Sequence, residues 1–173
     1  MKQWLLLIGV CALSGGCTGK VDTRVQSSGI ASPSPQAYMI STVAETSPEL
    51  RRAYKIVAAA MAKKGFTLVK EGTLHLEITL DARPAALSLG SKEGANSLSP
   101  AKEKKMLQSC EDREYRLGVT LTNAEGSEIY RGRAAEYHCK VAVSAALPTL
   151  VDAALADFGS PRGSYVIKRS GRE

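Results

Sequence analysis

The sequence predicts an α+β fold, a two-layer sandwich in which an antiparallel or mixed sheet of about four strands carries two helices on one face, in the order β-α-β-β-β-α. Three observations lead to it. Thr73 to Asp81 (TLHLEITLD) alternates polar and apolar residues without a break, the period-two pattern of a strand with one face in the core and the other in water. Two segments, 47–65 and 144–159, place apolar residues at helical spacing on one side only, so each helix must cover that side with a neighbour. A second alternating stretch, Tyr115 to Thr122, runs through the turn Asn123-Ala124-Glu125-Gly126 into Ser127 to Lys140, which reads as a hairpin. Half-polar strands of this kind argue against a doubly wound parallel sheet, whose strands are apolar on both faces.

In chain order, residues 1–16 come first. A charged start at Lys2, an apolar run from Leu5 to Leu13 and a small-residue exit, Ser14-Gly15-Gly16, have the layout of a secretory signal peptide. The run is about half the length that spans ~30 Å of hydrocarbon as a helix. Small residues directly before Cys17 resemble the lipobox of bacterial lipoproteins. That resemblance implies a diacylglycerol on the Cys17 sulfur, palmitate-type acyl chains and cleavage just before it. Ser14 stands where the lipobox usually has Leu, and Ser14 with Gly16 also satisfies ordinary small-x-small cleavage, which leaves a soluble periplasmic product as the alternative. Thr18, not Asp, follows the cysteine; by resemblance to Gram-negative sorting this implies the outer membrane, with the chain facing the periplasm. Two or more acyl chains hold a protein stably to a bilayer where a single chain does not.

Residues 17–36 are mostly Gly, Ser, Thr, Pro and single charges, with Ser32-Pro33-Ser34-Pro35 near the end, and read as a lipid-attached flexible tether. Such a tether spans roughly 20–25 Å on average and ~60 Å at full stretch. Residues 37–168 then form one domain. Ala37 to Val43 has strand composition. Ser47-Pro48-Glu49 supplies a capping hydroxyl, a proline where an N–H is dispensable, and an acid at the positive helix end. The helix that follows sets Leu50, Tyr54, Val57, Ala58 and Met61 on one side, closes with Lys63 and Lys64 and stops at Gly65. After the strand 73–81, residues 84–108 contain Ser, Gly, Asn and the run Lys102-Glu103-Lys104-Lys105. That is longer than a compact domain usually leaves irregular, so it reads as a long loop, mobile or functional. Leu147, Leu150, Val151, Ala154, Leu155 and Phe158 keep helical spacing, with Ser144 as a cap, Pro148 near the first turn and Gly159 beyond the end. Ser164 to Lys168 offers an edge strand, and residues 169–173 read as a frayed tail.

The lipobox, the Pro/Ser tether, a strand, a helix closing in Lys63-Lys64-Gly65-Phe66 and then Leu74-His75-Leu76-Glu77-Ile78 together resemble a family of small bacterial outer-membrane lipoproteins built on a domain of unknown function. The resemblance spans about residues 37–158 and brings no activity with it.

Of the four cysteines, Cys11 leaves with the signal and Cys17 takes the lipid, so Cys110 and Cys139 remain in an oxidising compartment. A bond between them would clamp the base of the hairpin and contribute on the order of 3.5 kcal/mol by the chain-entropy model; the alternative is two free buried thiols. His75-x-Glu77 and Glu136-x-His138 each put two ligand types on one face of a strand, and together they would make a transition-metal set if the fold joined them. Solvated faces of amphipathic strands are the plainer reading of those residues, and no metal or cofactor is assigned. No GxSxG, HExxH or Gly-rich phosphate loop occurs, and the chain reads as non-catalytic. Without residues 1–16 it keeps 22 basic and 17 acidic side chains. In an envelope, anionic headgroups, a cell-wall polymer or another envelope protein are more accessible partners than nucleic acid, and the few aromatics near the Lys run make no base-stacking platform. The expectation is an envelope interaction or assembly module, with a periplasmic metal or small-solute binder as the alternative.

Overall fold

Alternation becomes β-sheet and one-sided spacing becomes helix, but the sheet is larger than the pattern foretold. The structure is a computed structural model that describes residues 19–30, 33–40, 47–87, 89–90, 97–99, 101–102 and 110–171. Its elements are β1 (Gly19–Gly29), β2 (Ala37–Ile40), α1 (Pro48–Lys63), β3 (Thr67–Leu68), β4 (Leu74–Pro84), β5 (Leu89–Gly90), β6 (Ser97–Ser99), β7 (Arg113–Thr122), β8 (Glu128–His138), α2 (Val143–Ala154) and β9 (Gly163–Gly171). Seven strands form one mixed sheet in the order β3-β2-β4-β7-β8-β1-β9, and β5 and β6 pair separately. Strand β2 runs parallel to β3 and β4; every other pair in the large sheet is antiparallel.

The prediction of about four strands in the order β-α-β-β-β-α is therefore wrong. The error lies mainly at the two ends of the chain. Residues assigned to a tether, 19–29, are the long strand β1, paired on one side with β8 and on the other with β9. Its inward residues are Val21, Thr23, Val25 and Ser27, all buried. Two of the four carry hydroxyls, so the alternation is not apolar and hydropathy misses it. The hydroxyls are admissible in the core because each donates to a buried carboxylate, Thr23 to Glu136 and Ser27 to Asp157. The frayed tail is likewise corrected: Arg169, Ser170 and Gly171 belong to β9 and pair with Val21, Lys20 and Gly19. Residues 19–29 and 169–171 therefore belong to the same sheet as the segment predicted to form the domain.

Helix α1 starts as its sequence demands, with Ser47 Oγ accepting from the Leu50 N–H at 3.1 Å and Pro48 at the first position. It buries Ala53, Val57 and Met61, and Gly65 takes φ +86° just past its end. Helix α2 starts one residue earlier than its predicted cap: Ala142 occupies the capping position and no side chain caps it. It stops at Ala154, short of Phe158, and Pro148 lies inside it. Both helices pack into a single core with the inward residues of β4, β7, β8 and β1, among them Leu76, Leu117, Leu121, Tyr130 and Val25. Gly132 lets α2 approach, since a Cβ there would stand 1.8 Å from the Ala154 carbonyl oxygen. Tyr130 donates its hydroxyl to that same oxygen at 2.6 Å. Among the described residues, the opposite face of the sheet carries no helix.

The β7–β8 hairpin forms across Asn123 to Ser127, where Gly126 N–H donates to Asn123 O at 3.0 Å and Ser127 N–H to Asn123 Oδ1 at 2.7 Å. A disulfide joins Cys110 to Cys139 at a Cα separation of 5.6 Å and closes the open end of this hairpin. The segment predicted as one long loop, 84–108, is partly regular. Pro84 ends β4, and β5 pairs with β6. Ala85 N–H donates to Asp112 O at 2.9 Å, Lys102 N–H to Ala85 O at 2.8 Å, and Lys102 Nζ lies 2.8 Å from Asp112 Oδ2. Residues 103–109, with the rest of the basic run, lie outside the described residues, as do residues 1–16, read above as a signal peptide, and Cys17. No helix among the described residues is long and apolar enough to cross a membrane.

Candidate functional site

On the helix-free face, the strand register lines up a row of side chains across the sheet. Arg24 of β1 pairs with Ala135 of β8, Ala135 with Arg116 of β7, and Val166 of β9 with Arg24. One step along, Gln26 pairs with Arg133 and Arg133 with Gly118. Small residues therefore stand between long cationic ones, because a strand sends alternate side chains to one face. A cavity of about 350 Å³ results, lined by Arg24, Arg116, Arg133, Glu114, Ala135 and Val166 among others. Gly118, the pairing partner of Arg133, has no room for a side chain: a Cβ there would stand 2.5 Å from Thr79 Oγ1 and 3.9 Å from the Arg133 side chain.

Glu114, only 1% exposed, anchors the cationic walls. Its Oε1 accepts from Arg24, and its Oε2 from Arg83 and, at 3.1 Å, from Arg116. Arg24 also lies over the Tyr137 ring at 4.2 Å, and Lys102 approaches the same ring at 5.3 Å. Arg133 is exposed and has no ionic partner among the described residues. One carboxylate thus orients three guanidiniums, and a fourth is left over. Guanidiniums stay protonated at any physiological pH, so such a site attracts and orients an anion and does not exchange protons with it.

The four residues that would make a metal set only if the fold joined them, His75, Glu77, Glu136 and His138, are not brought together. His75 and Glu77 of β4 face away from the core, for their neighbour Leu76 is fully buried, whereas Glu136 and His138 point toward it. His75 pairs with Thr122 at the hairpin's turn end; His138 pairs with Arg113, which pairs with Pro84. Along β4, nine residues separate the level of His138 from His75, roughly 30 Å at the usual rise, and five separate that of Glu136 from Glu77, roughly 17 Å. No group of three or more His, Cys, Asp or Glu placed to share a metal occurs among the described residues. Nor are Glu136 and His138 solvated, as amphipathic strand faces would have them: they are 0% and 2% exposed.

Glu136 is a structural hub. It accepts from Thr23, from Arg169 Nη2 at 2.8 Å and from His138 Nε2 at 2.8 Å. Burial opposes its ionisation, but hydrogen bonds from His138, Arg169 and Thr23, with the charge of Arg169, prevail and hold the carboxyl down at about 2. Ionised Glu136 can only accept, so His138 donates from Nε2; its ring stacks on Tyr115 at 5.5 Å, and its buried Nδ1 has no partner among the described residues. Asp157 plays the same part further along. It accepts from Ser27 at 2.7 Å, Arg162 at 2.7 Å and Tyr165 at 2.9 Å. Burial would raise its pKa, and these three donors with the Arg162 charge lower it instead.

No family model matches the chain, and no curated protein does. Several solved structures share its fold, two of which illustrate the likeness. A PDZ domain protein from Parabacteroides distasonis ATCC 8503 superposes with a TM-score of 0.58 at 11% identity over 88% of this chain, which spans 40% of that protein's length. PelC from Paraburkholderia phytofirmans, solved as a dodecamer, superposes at 0.50 with 9% identity over 81% of this chain and 99% of its own. At such identities the likeness is one of fold alone.

Sequence reasoning missed Arg24, Glu114, Arg116 and Arg133. Arg116 and Arg133 sit at outward positions of the two hairpin strands, which alternation does indicate. What alternation cannot supply is the register that sets Arg24 beside them, because β1 was not recognised as a strand.

Proposed function

We propose that the chain is a non-catalytic cell-envelope lipoprotein, an interaction or assembly module held by acylated Cys17 in the outer membrane and facing the periplasm, as the small-lipoprotein resemblance implies. Its helix-free face is the docking surface. The observation that carries this reading is the distribution of groups: the carboxylates bonded to His, Thr and Tyr are sealed in the core, while the open face presents fixed guanidiniums around a cavity. Guanidiniums bind and orient; they neither attack nor shuttle protons. A soluble-solute binder of the periplasm is a second reading, favoured by the 350 Å³ cavity, which lies at the small end of ligand sites. Its metal-binding form is set aside by the separation of His75 from His138.

A photo-crosslinking residue at the position of Val166, on the exposed cavity rim, should capture an envelope component in intact cells, and one at Asp152 on exposed helix surface should not. Equal capture from both positions contradicts the docking face. Mass spectrometry of the mature N-terminus tests the anchor: diacylated Cys17 is the expected species, and a chain beginning elsewhere without lipid refutes it.

A further inference from the structure

We infer that the arginine-lined cavity on the helix-free face is a binding site for a dianionic phosphate group. The inference rests on the reading of this face as a binding surface and names what it binds. Three guanidiniums, Arg24, Arg116 and Arg133, line the cavity against the single carboxylate of Glu114, an excess of two positive charges among the described lining residues. A dianion brings that lining to neutrality, whereas a monocarboxylate leaves one charge over. The excess is held in place and cannot relax by side-chain dispersal: Arg24 and Arg116 are both tied to Glu114, itself 1% exposed, and Arg24 is packed over Tyr137. Pre-organised guanidinium forks suit the tetrahedral oxygens of phosphate, which accept in pairs. Arg133 supplies the uncommitted fork, since no ionic partner holds it among the described residues. The short side chain of Ala135 stands between Arg24 and Arg116 in the strand register, so an oxyanion can descend between the arginines. Val166 adds an apolar flank, which the carbon side of a phosphate ester would cover.

The test is titration of the protein as cells produce it, in non-ionic detergent at pH 7.5 and low salt, with inorganic phosphate followed by calorimetry, and with acetate as the monoanionic control. Saturable binding at one site, at least tenfold tighter than acetate, is expected. Arg133→Ala and Arg116→Ala should each weaken it about tenfold or more, the scale of one charge-assisted contact. Arg133→Ala serves as the variant that folds, its side chain being exposed and unpaired; unchanged melting with lost binding is the expected pattern. Glycerol phosphate and a soluble short-chain phosphatidic acid then separate the sources of the group: equal affinities assign a soluble or polymeric phosphate, and tighter binding of the lipid assigns a headgroup. No saturable phosphate binding up to 10 mM (about a 10⁻² M ceiling), equal affinity for acetate, or binding untouched in the Arg116→Ala, Arg133→Ala double variant overturns the inference. If phosphate fails while the Val166 position still crosslinks to an envelope component, only the ligand class is wrong; if both fail, the docking face is wrong as well.

Discussion

Glu136 and Glu114 lie opposite each other's neighbours in one hairpin, Glu136 paired with Tyr115 and Glu114 with Tyr137, yet they point to opposite faces of the sheet. Both are almost wholly buried. On the helix-bearing side, Glu136 meets one guanidinium, one imidazole and one hydroxyl, and the site is closed. On the other side, Glu114 meets three part-exposed guanidiniums, two of which, Arg24 and Arg116, border a cavity. The same residue type at adjacent levels of one sheet therefore does two things. A carboxylate matched by its donors locks structure; one outnumbered by cations fixes a positive field that faces outward. Burial of an acid is thus no guide to function until its partners are counted.

The largest expected effect breaks the closed side. Glu136→Ala leaves Arg169 and His138 without their acceptor in the core and should destabilise the fold by about 3–5 kcal/mol, the usual cost of stripping one partner from a buried ion pair; denaturant titration measures it. The pH dependence has the same origin. Because the Glu136 carboxyl is held at about 2 in the folded chain against an ordinary 4.5, its contribution is complete above pH ~4.5 and disappears as pH falls toward 2. Asp157, lowered in the same direction, adds to the loss. Melting temperature in the wild type should decline through this window, and Glu136→Gln should flatten the decline.

Opening the hairpin base comes next. Replacing Cys110 and Cys139 together by Ser removes a link across 29 residues and should cost on the order of 3.5 kcal/mol by the chain-entropy model, read as a lower denaturant midpoint and no further effect of reductant. A smaller effect sharpens the contrast with the other face. Glu114→Gln weakens its charge-assisted bonds but leaves groups that can reach water, so about 1–3 kcal/mol is expected, less than for Glu136→Ala in the same assay. Smallest of all, Arg133→Ala should change stability by no more than ~0.5 kcal/mol, because the side chain is exposed and no ionic partner holds it among the described residues.

The helices and the central strands β4, β7 and β8 were legible because their inward positions are apolar and their ends carry Ser47, Pro48, Gly65 and the Asn123–Gly126 turn. The disulfide was legible by elimination, since Cys11 and Cys17 fall in the segment whose sequence reads as a signal peptide and lipobox. Strand β1 was not, and β9 was legible only as the edge strand Ser164 to Lys168, without its continuation through Gly171. Thr23, Ser27 and Arg169 sit at core-facing positions where hydropathy expects Val or Leu, and what makes them acceptable is a pair of carboxylates more than 100 residues away from Thr23 and Ser27 in sequence. The candidate site was hidden for the same reason. Its arginines come from β1, β7 and β8, so they converge only once β1 is placed beside β8.

The most direct test of the account is amide-shift mapping of the protein titrated with inorganic phosphate. Shifts confined to the cavity lining, Arg24, Arg116, Arg133 and Ala135 among it, with α1 and α2 unmoved, are the predicted result. Shifts centred on the helices, or none at all, would contradict it.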